Sequence, residues 1–165
     1  MKQIVAVLLA ISSIGSAPQK QIPRQLWGSW RVTRGIPTST VSCWGKAEAT
    51  AILGSKIEYT AELFQWKTVA VRDPVANVRI ITAAQFHEQN SGGGASDSQI
   101  DLHQLGIETK TATQVEIDHP PADLTGATGE IPGDRVLVKN RNTVIFSVCN
   151  VYFEAKRVNR KTTQR

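Results

Sequence analysis

A chain of 165 residues with 41% hydrophobic and 20% charged residues, 12 glycines and 7 prolines has the composition of one ordinary globular domain. Those figures exclude a collagen-like, coiled-coil or wholly disordered polypeptide. Of the 19 basic and 14 acidic residues behind the net charge of +5, five basic ones crowd into the last ten positions, beyond the last aromatic residue, Phe153; a nucleic-acid binder carries its basic excess on a folded face interleaved with aromatic side chains, so nucleic acid is not an expected partner.

Met1-Lys2 and the apolar run Ile4 to Ile14, followed by Gly15, Ser16 and Ala17, form the pattern of a secretory signal. The run is too short for the roughly 20 residues of a spanning helix, so no transmembrane anchor is expected once the signal is removed. Small residues at the required spacing allow cleavage after residue 15 or after residue 17. The predicted organisation is a signal peptide over 1–17, a single β-barrel domain over 18–157 and a basic, disordered tail over 158–165, in a secreted or periplasmic protein. In an oxidising compartment the only two cysteines, Cys43 and Cys149, are expected to form one disulfide. Closing a loop of roughly 100 residues would restrict the unfolded chain by up to about 4.7 kcal/mol in the entropy model.

Within the domain, Leu26 to Gly35 alternates apolar and polar residues at the period of a half-buried strand. Ser42 to Leu53, rich in alanine and closed by Gly54, predicts a short helix. Lys56 to Thr60 and Leu63 to Val71 predict a hairpin, and Asp73-Pro74 breaks the chain. Val78 to Ile81 predicts a strand, with Thr82 capping a helical turn through Gln89. Asn90 to Ser98 is a glycine-rich loop, Gln99 to His103 and Ala112 to His119 are strand candidates, and His119 to Gly133 is a Pro/Gly-rich connection. Val136 to Lys139 and Thr143 to Ala155 form a final hairpin, the last strand apolar on both faces and so covered on both sides. The fold class is mainly β, about eight antiparallel strands with one or two short helices.

Gly28-x-Trp30 on the first strand resembles the Gly-x-Trp opening of the calycin superfamily, which includes lipocalins, fatty-acid-binding proteins and avidins. The resemblance implies a calycin-like barrel in which Trp30 plugs one end and a basic residue of the last strand, matched in position by Arg157, packs over it. It covers about ten residues at each end of the domain. The helix expected before the final strand of a lipocalin is not visible, and the Arg-x-Tyr carboxylate clamp of fatty-acid-binding proteins is absent from Val151-Tyr152-Phe153.

No motif for an activated serine, a zinc hydrolase or a phosphate loop occurs, so neither an enzyme nor a cofactor is predicted. His87, His103 and His119 lack metal-ligand spacing and are read as independent residues, with no metal site. The pairs Glu58/Glu62 and Glu116/Asp118 are read as solvent-facing carboxylates. Gly28, Trp30, Arg157, Cys43 and Cys149 are the expected structural residues. Function is then expected to be binding: a small apolar ligand inside the barrel against Tyr59, Trp66 and Phe146, or a protein partner engaged, as an inhibitor engages its target, through exposed loops.

Overall fold

The computed structural model describes residues 21–38, 42–90, 100–119 and 129–158. The predicted signal peptide, most of the Asn90 to Ser98 loop, most of the Pro/Gly-rich connection and the tail after Val158 lie outside the described residues. After a 3-10 turn at Arg24–Leu26, the chain forms β1 (Gly28–Ile36), α1 (Lys46–Ile52), β2 (Lys56–Tyr59), β3 (Leu63–Trp66), β4 (Val69–Arg72), β5 (Val75–Thr82) and α2 (Ala83–Asn90). It continues through β6 (Thr111–Asp118), β7 (Arg135–Asn140), β8 (Thr143–Val148) and β9 (Val151–Arg157). All nine strands join one antiparallel sheet in the order β4-β3-β2-β1-β9-β8-β7-β6-β5.

That order forces the sheet to curl. Neighbouring strands alternate in direction, so β4 and β5 at the two edges run the same way, and only Asp73-Pro74 separates them in the chain. They are two halves of one bent strand: the first half pairs with β3, the second with β6. Three residue steps span at most about 11 Å, so the edges must meet at the bend. Proline cannot donate to a ladder, Asp73 takes a positive φ of 47°, and its N–H donates to Glu62 O at 2.9 Å. The first and last strands lie side by side, Trp30 opposite Arg157 and Ile36 opposite Tyr152, with a bulge between Val32 and Arg34.

Three local expectations are corrected. Leu63 to Val71 is not one strand, because Lys67-Thr68 turns the chain, Lys67 at φ 51°, and Trp66 pairs with Val69. Thr143 to Ala155 is likewise broken at Cys149-Asn150, both at positive φ (54° and 62°), the backbone of a tight hairpin turn. The segment predicted as a strand at Gln99 to His103 is, from Ile100 on, a turn: Asp101 Oδ1 accepts from Gln104 N–H and Gln104 Oε1 accepts from Asp101 N–H, leaving no backbone for a ladder. Its Ile100, Leu102, Leu105 and Ile107 are buried, and that apolar spacing mimicked a strand. Thr82 does cap α2, reciprocally with Gln85, as a capping box requires.

The sheet is buried on its concave face and, over β7 to β9, on part of its outer face, while the outer faces of β1, β2 and β4 stay largely exposed. The concave face carries Trp30, Val32, Ile57, Tyr59, Phe64, Val115, Val136, Val144, Phe146 and Phe153 in one continuous core. The outer face packs Leu137, Ile145 and Tyr152 under Phe86 of α2 and the apolar residues of the 100–107 turn. Phe153, fully buried and stacked on Phe146 with ring centroids 5.4 Å apart, is the central filler. Phe153→Ala is expected to cost about 3–5 kcal/mol in urea unfolding, whereas Ile80→Ala, at a side chain left 73% exposed, is expected to change stability by less than about 0.5 kcal/mol.

Candidate functional site

The end of the barrel where β1 begins and β9 finishes is built by the residues that the sequence singled out. Gly28 has φ +122°, a conformation that side chains rarely adopt, and a Cβ there would stand 3.1 Å from Nη1 of Arg157. Two residues on, Trp30 is fully buried and its indole N–H donates to Leu26 O at 2.7 Å. The Arg157 guanidinium lies over that ring, 4.2 Å from its centroid. It donates through Nε to Arg141 O at 3.1 Å, through Nη2 to Gln25 O at 2.6 Å and through Nη1 to Trp27 O. One side chain thus ties together the entry turn, the first strand, the last strand and the β7–β8 hairpin. Burial, and then the nearby charge of Arg141, pull the Arg157 pKa below its usual value.

At the opposite end, Cys43 and Cys149 are joined in a disulfide, their Cα atoms 5.3 Å apart across a sequence separation of 106. It fastens the segment before α1 to the β8–β9 turn. Ser42 Oγ donates to Cys149 O at 2.9 Å, and Cys149 N–H donates to a Glu130 carboxylate oxygen at 2.7 Å. The turn is therefore held from two directions.

Tyr59, Trp66 and Phe146, the residues proposed from sequence to line a ligand cavity, lie in the concave core and are 0%, 7% and 2% exposed. Tyr59 stacks on Phe64 and donates its hydroxyl to Gly133 O at 2.7 Å, so burial, and then the charge of Asp134, raise its pKa well above the ordinary phenol value. Gly133, at φ +93°, leaves room for that hydroxyl; a Cβ would sit 2.6 Å from it. Trp66 donates to Ser55 Oγ at 3.1 Å, and Phe146 stacks on Phe153. A void of about 40 Å³ touches Phe146, but it is walled by outer-face residues, among them Gln114, Ile145 and Tyr152. That is room for about one water.

Two polar arrangements were not foreseen. Glu154, on the outer face of β9, is almost fully buried and pairs with Arg34 at 3.0 Å, with Lys139 and Lys156 each at 3.8 Å. Burial alone would raise its pKa, but the Arg34 hydrogen bond and the three positive charges outweigh it and hold the carboxyl below the ordinary range. His119 Nε2 lies 3.1 Å from Asp134 Oδ2, which also accepts from Ile131 N–H at 2.9 Å, beside a polar cleft of about 240 Å³. Asp118 and Glu116, at the same cleft, engage Asn77 and the Arg79 and Arg135 side chains, so Glu116 is neutralised rather than free. His103 faces Glu108 at 3.5 Å on the surface and His87 rides on α2; the three histidines are not brought together, and no group of three or more potential metal ligands forms among the described residues. Sequence spacing could not have found either arrangement, because each joins strands or loops distant in the chain.

Compared with models of protein families, with curated proteins and with solved structures, the chain matches none.

The lowered pKa of Glu154 fixes the sign of a pH effect. A carboxylate stabilised in the fold contributes stability that is present above its unfolded value, near 4.3, and is lost as the pH falls through the lower folded value. Wild-type protein is therefore expected to lose stability on acidification below about pH 4.5 more steeply than Glu154→Gln, in urea midpoints measured from pH 6 down to pH 2.5.

Proposed function

We propose that the protein is an exported, calycin-like barrel that works as a protein-interaction module on its outside, and not as a carrier of a small apolar ligand. The filled interior carries this reading. Pockets for drug-sized ligands enclose roughly 300–1,000 Å³, yet Tyr59, Trp66 and Phe146 are buried in one continuous core with Phe64 and Phe153, and the void of about 40 Å³ that touches Phe146 lies on the outer face. Among the described residues, β5 is paired on one side only, with β6. Ile80 on it is 73% exposed and Val75 43%. An unpaired edge bearing apolar side chains is suited to an extended segment of a partner, whose main chain would complete the ladder while alternate side chains meet Ile80. Export rests on the apolar run at the N-terminus and is supported by the disulfide. No helix among the described residues is long and apolar enough to cross a membrane.

Native mass spectrometry of the chain purified from its own host tests this directly. The expected result is an added protein mass that is lost in Ile80→Glu while the denaturation midpoint of that variant stays within about 0.5 kcal/mol of wild type. A bound small apolar molecule, retained in Ile80→Glu, would contradict the proposal and favour the carrier.

A further inference from the structure

A cleft of about 520 Å³ opens beside the Trp30 plug, between the entry turn and the β7–β8 hairpin, and its charged walls are Arg24, Lys139, Arg141 and Arg157, with no carboxylate among the lining residues. Lys139 is compensated, its ammonium 3.8 Å from Glu154. The three arginines are not: none has an ion-pair partner among the described residues. Like charges held around one concavity repel one another, and the repulsion is relieved by an anion between them.

The geometry of the donors is equally specific. Arg157 is immobilised by the Trp30 face and by three backbone carbonyls, one to each of its nitrogens. A guanidinium has five N–H donors, so two remain unspent on a group that needs no further ordering. Arg24 is steadied by Trp27, its guanidinium carbon 5.4 Å from the ring centroid, and the Trp27 indole in turn donates to Ile22 O at 2.8 Å. Arg141 sits at the tip of the β7–β8 hairpin, where Asn142 N–H donates to Asn140 Oδ1 at 2.9 Å and sets the turn. Guanidinium forks accept carboxylate and phosphate alike, but three arginines around one cleft, without an ion-pair partner among the described residues, favour the doubly charged phosphate over a singly charged carboxylate.

We propose that this cleft is a binding site for a phosphate group, with Arg24, Arg141 and Arg157 as its cationic walls, Arg157 being the one fixed by the clasp. The site shares no lining residue with β5 and does not depend on the proposed function. A phosphate monoester in solution and the phosphate of a lipid headgroup present the same chemistry to it.

The test uses the full mature chain at low ionic strength, with inorganic phosphate as probe and the Trp30 indole N–H resonance as reporter, since that group lies under Arg157. Saturable shifts are expected in wild type. Arg141→Gln should weaken phosphate at least tenfold while leaving the fold intact, because Arg141 lends only its backbone carbonyl to the clasp. Arg79→Gln, at a residue paired with Glu116 on the outer face, should leave binding unchanged. Phosphatidylcholine vesicles with and without phosphatidic acid separate the two sources. Vesicle binding that requires phosphatidic acid and is lost in Arg141→Gln identifies a headgroup site, whereas saturation by free phosphate with no vesicle binding identifies a soluble phosphate ligand. Absence of both, or equal weakening by Arg141→Gln and Arg79→Gln, overturns the proposal.

Discussion

The architecture depends on how the first and last strands are held together: a six-pair antiparallel ladder joins them, and a single cation clasps its end to the neighbouring segments. Arg157 stacks on the buried Trp30 ring and reaches carbonyls in the entry turn and the β7–β8 hairpin. Neither of those segments belongs to the β1–β9 ladder. A desolvated cation–π contact is worth about 2 kcal/mol and a hydrogen bond to a charged group about 1.5–3 kcal/mol; against these stands the cost of partly burying a charge. Gly28 is required by the same contact, since its backbone conformation and its missing Cβ are what let the guanidinium approach.

Curling the sheet makes a concave face that must be filled, and aromatic and β-branched side chains fill it. Covering the convex face is a separate task, performed by α2 and by the 100–107 turn, which bury Phe86, Ile100, Leu102, Leu105 and Ile107 against Leu137, Ile145 and Tyr152. The two layers account for why β8 and β9 are apolar on both sides. Glu154, buried on the convex face of β9, is neutralised by three cations instead of by water. With the interior filled in this way, the proposals for recognition fall on the edge of β5 and on the basic cleft by the plug.

Much of this was legible in the residues. Period-2 alternation located most of the strands, Thr82 marked the start of α2, and the lone cysteines indicated the bond that links the segment before α1 to the β8–β9 turn. The hairpins at Lys67-Thr68 and Cys149-Asn150 were hidden for a physical reason: both turns place non-glycine residues at positive φ, and apolar alternation continues straight through them. The bend at Asp73-Pro74 was visible as a break, but only the ladder partners reveal that the strand on either side of it serves opposite edges of the sheet. Sequence could nominate Tyr59, Trp66 and Phe146 as aromatic residues on the inner face. Whether they bound a ligand or one another is a question of volume, which spacing does not encode. Arg24 and Arg141 carried no signal at all, because the cleft they line with Arg157 is assembled only when the chain folds.

The clasp at the barrel end is most directly tested by a double-mutant cycle on Trp30→Leu and Arg157→Met, read in urea unfolding of the full chain. If the guanidinium over the indole joins the first and last strands, the two substitutions together should cost less than the sum of their separate costs, with a coupling of at least about 1 kcal/mol. Additivity within about 0.3 kcal/mol would contradict the account, since it would mean that plug and cation stabilise the barrel independently.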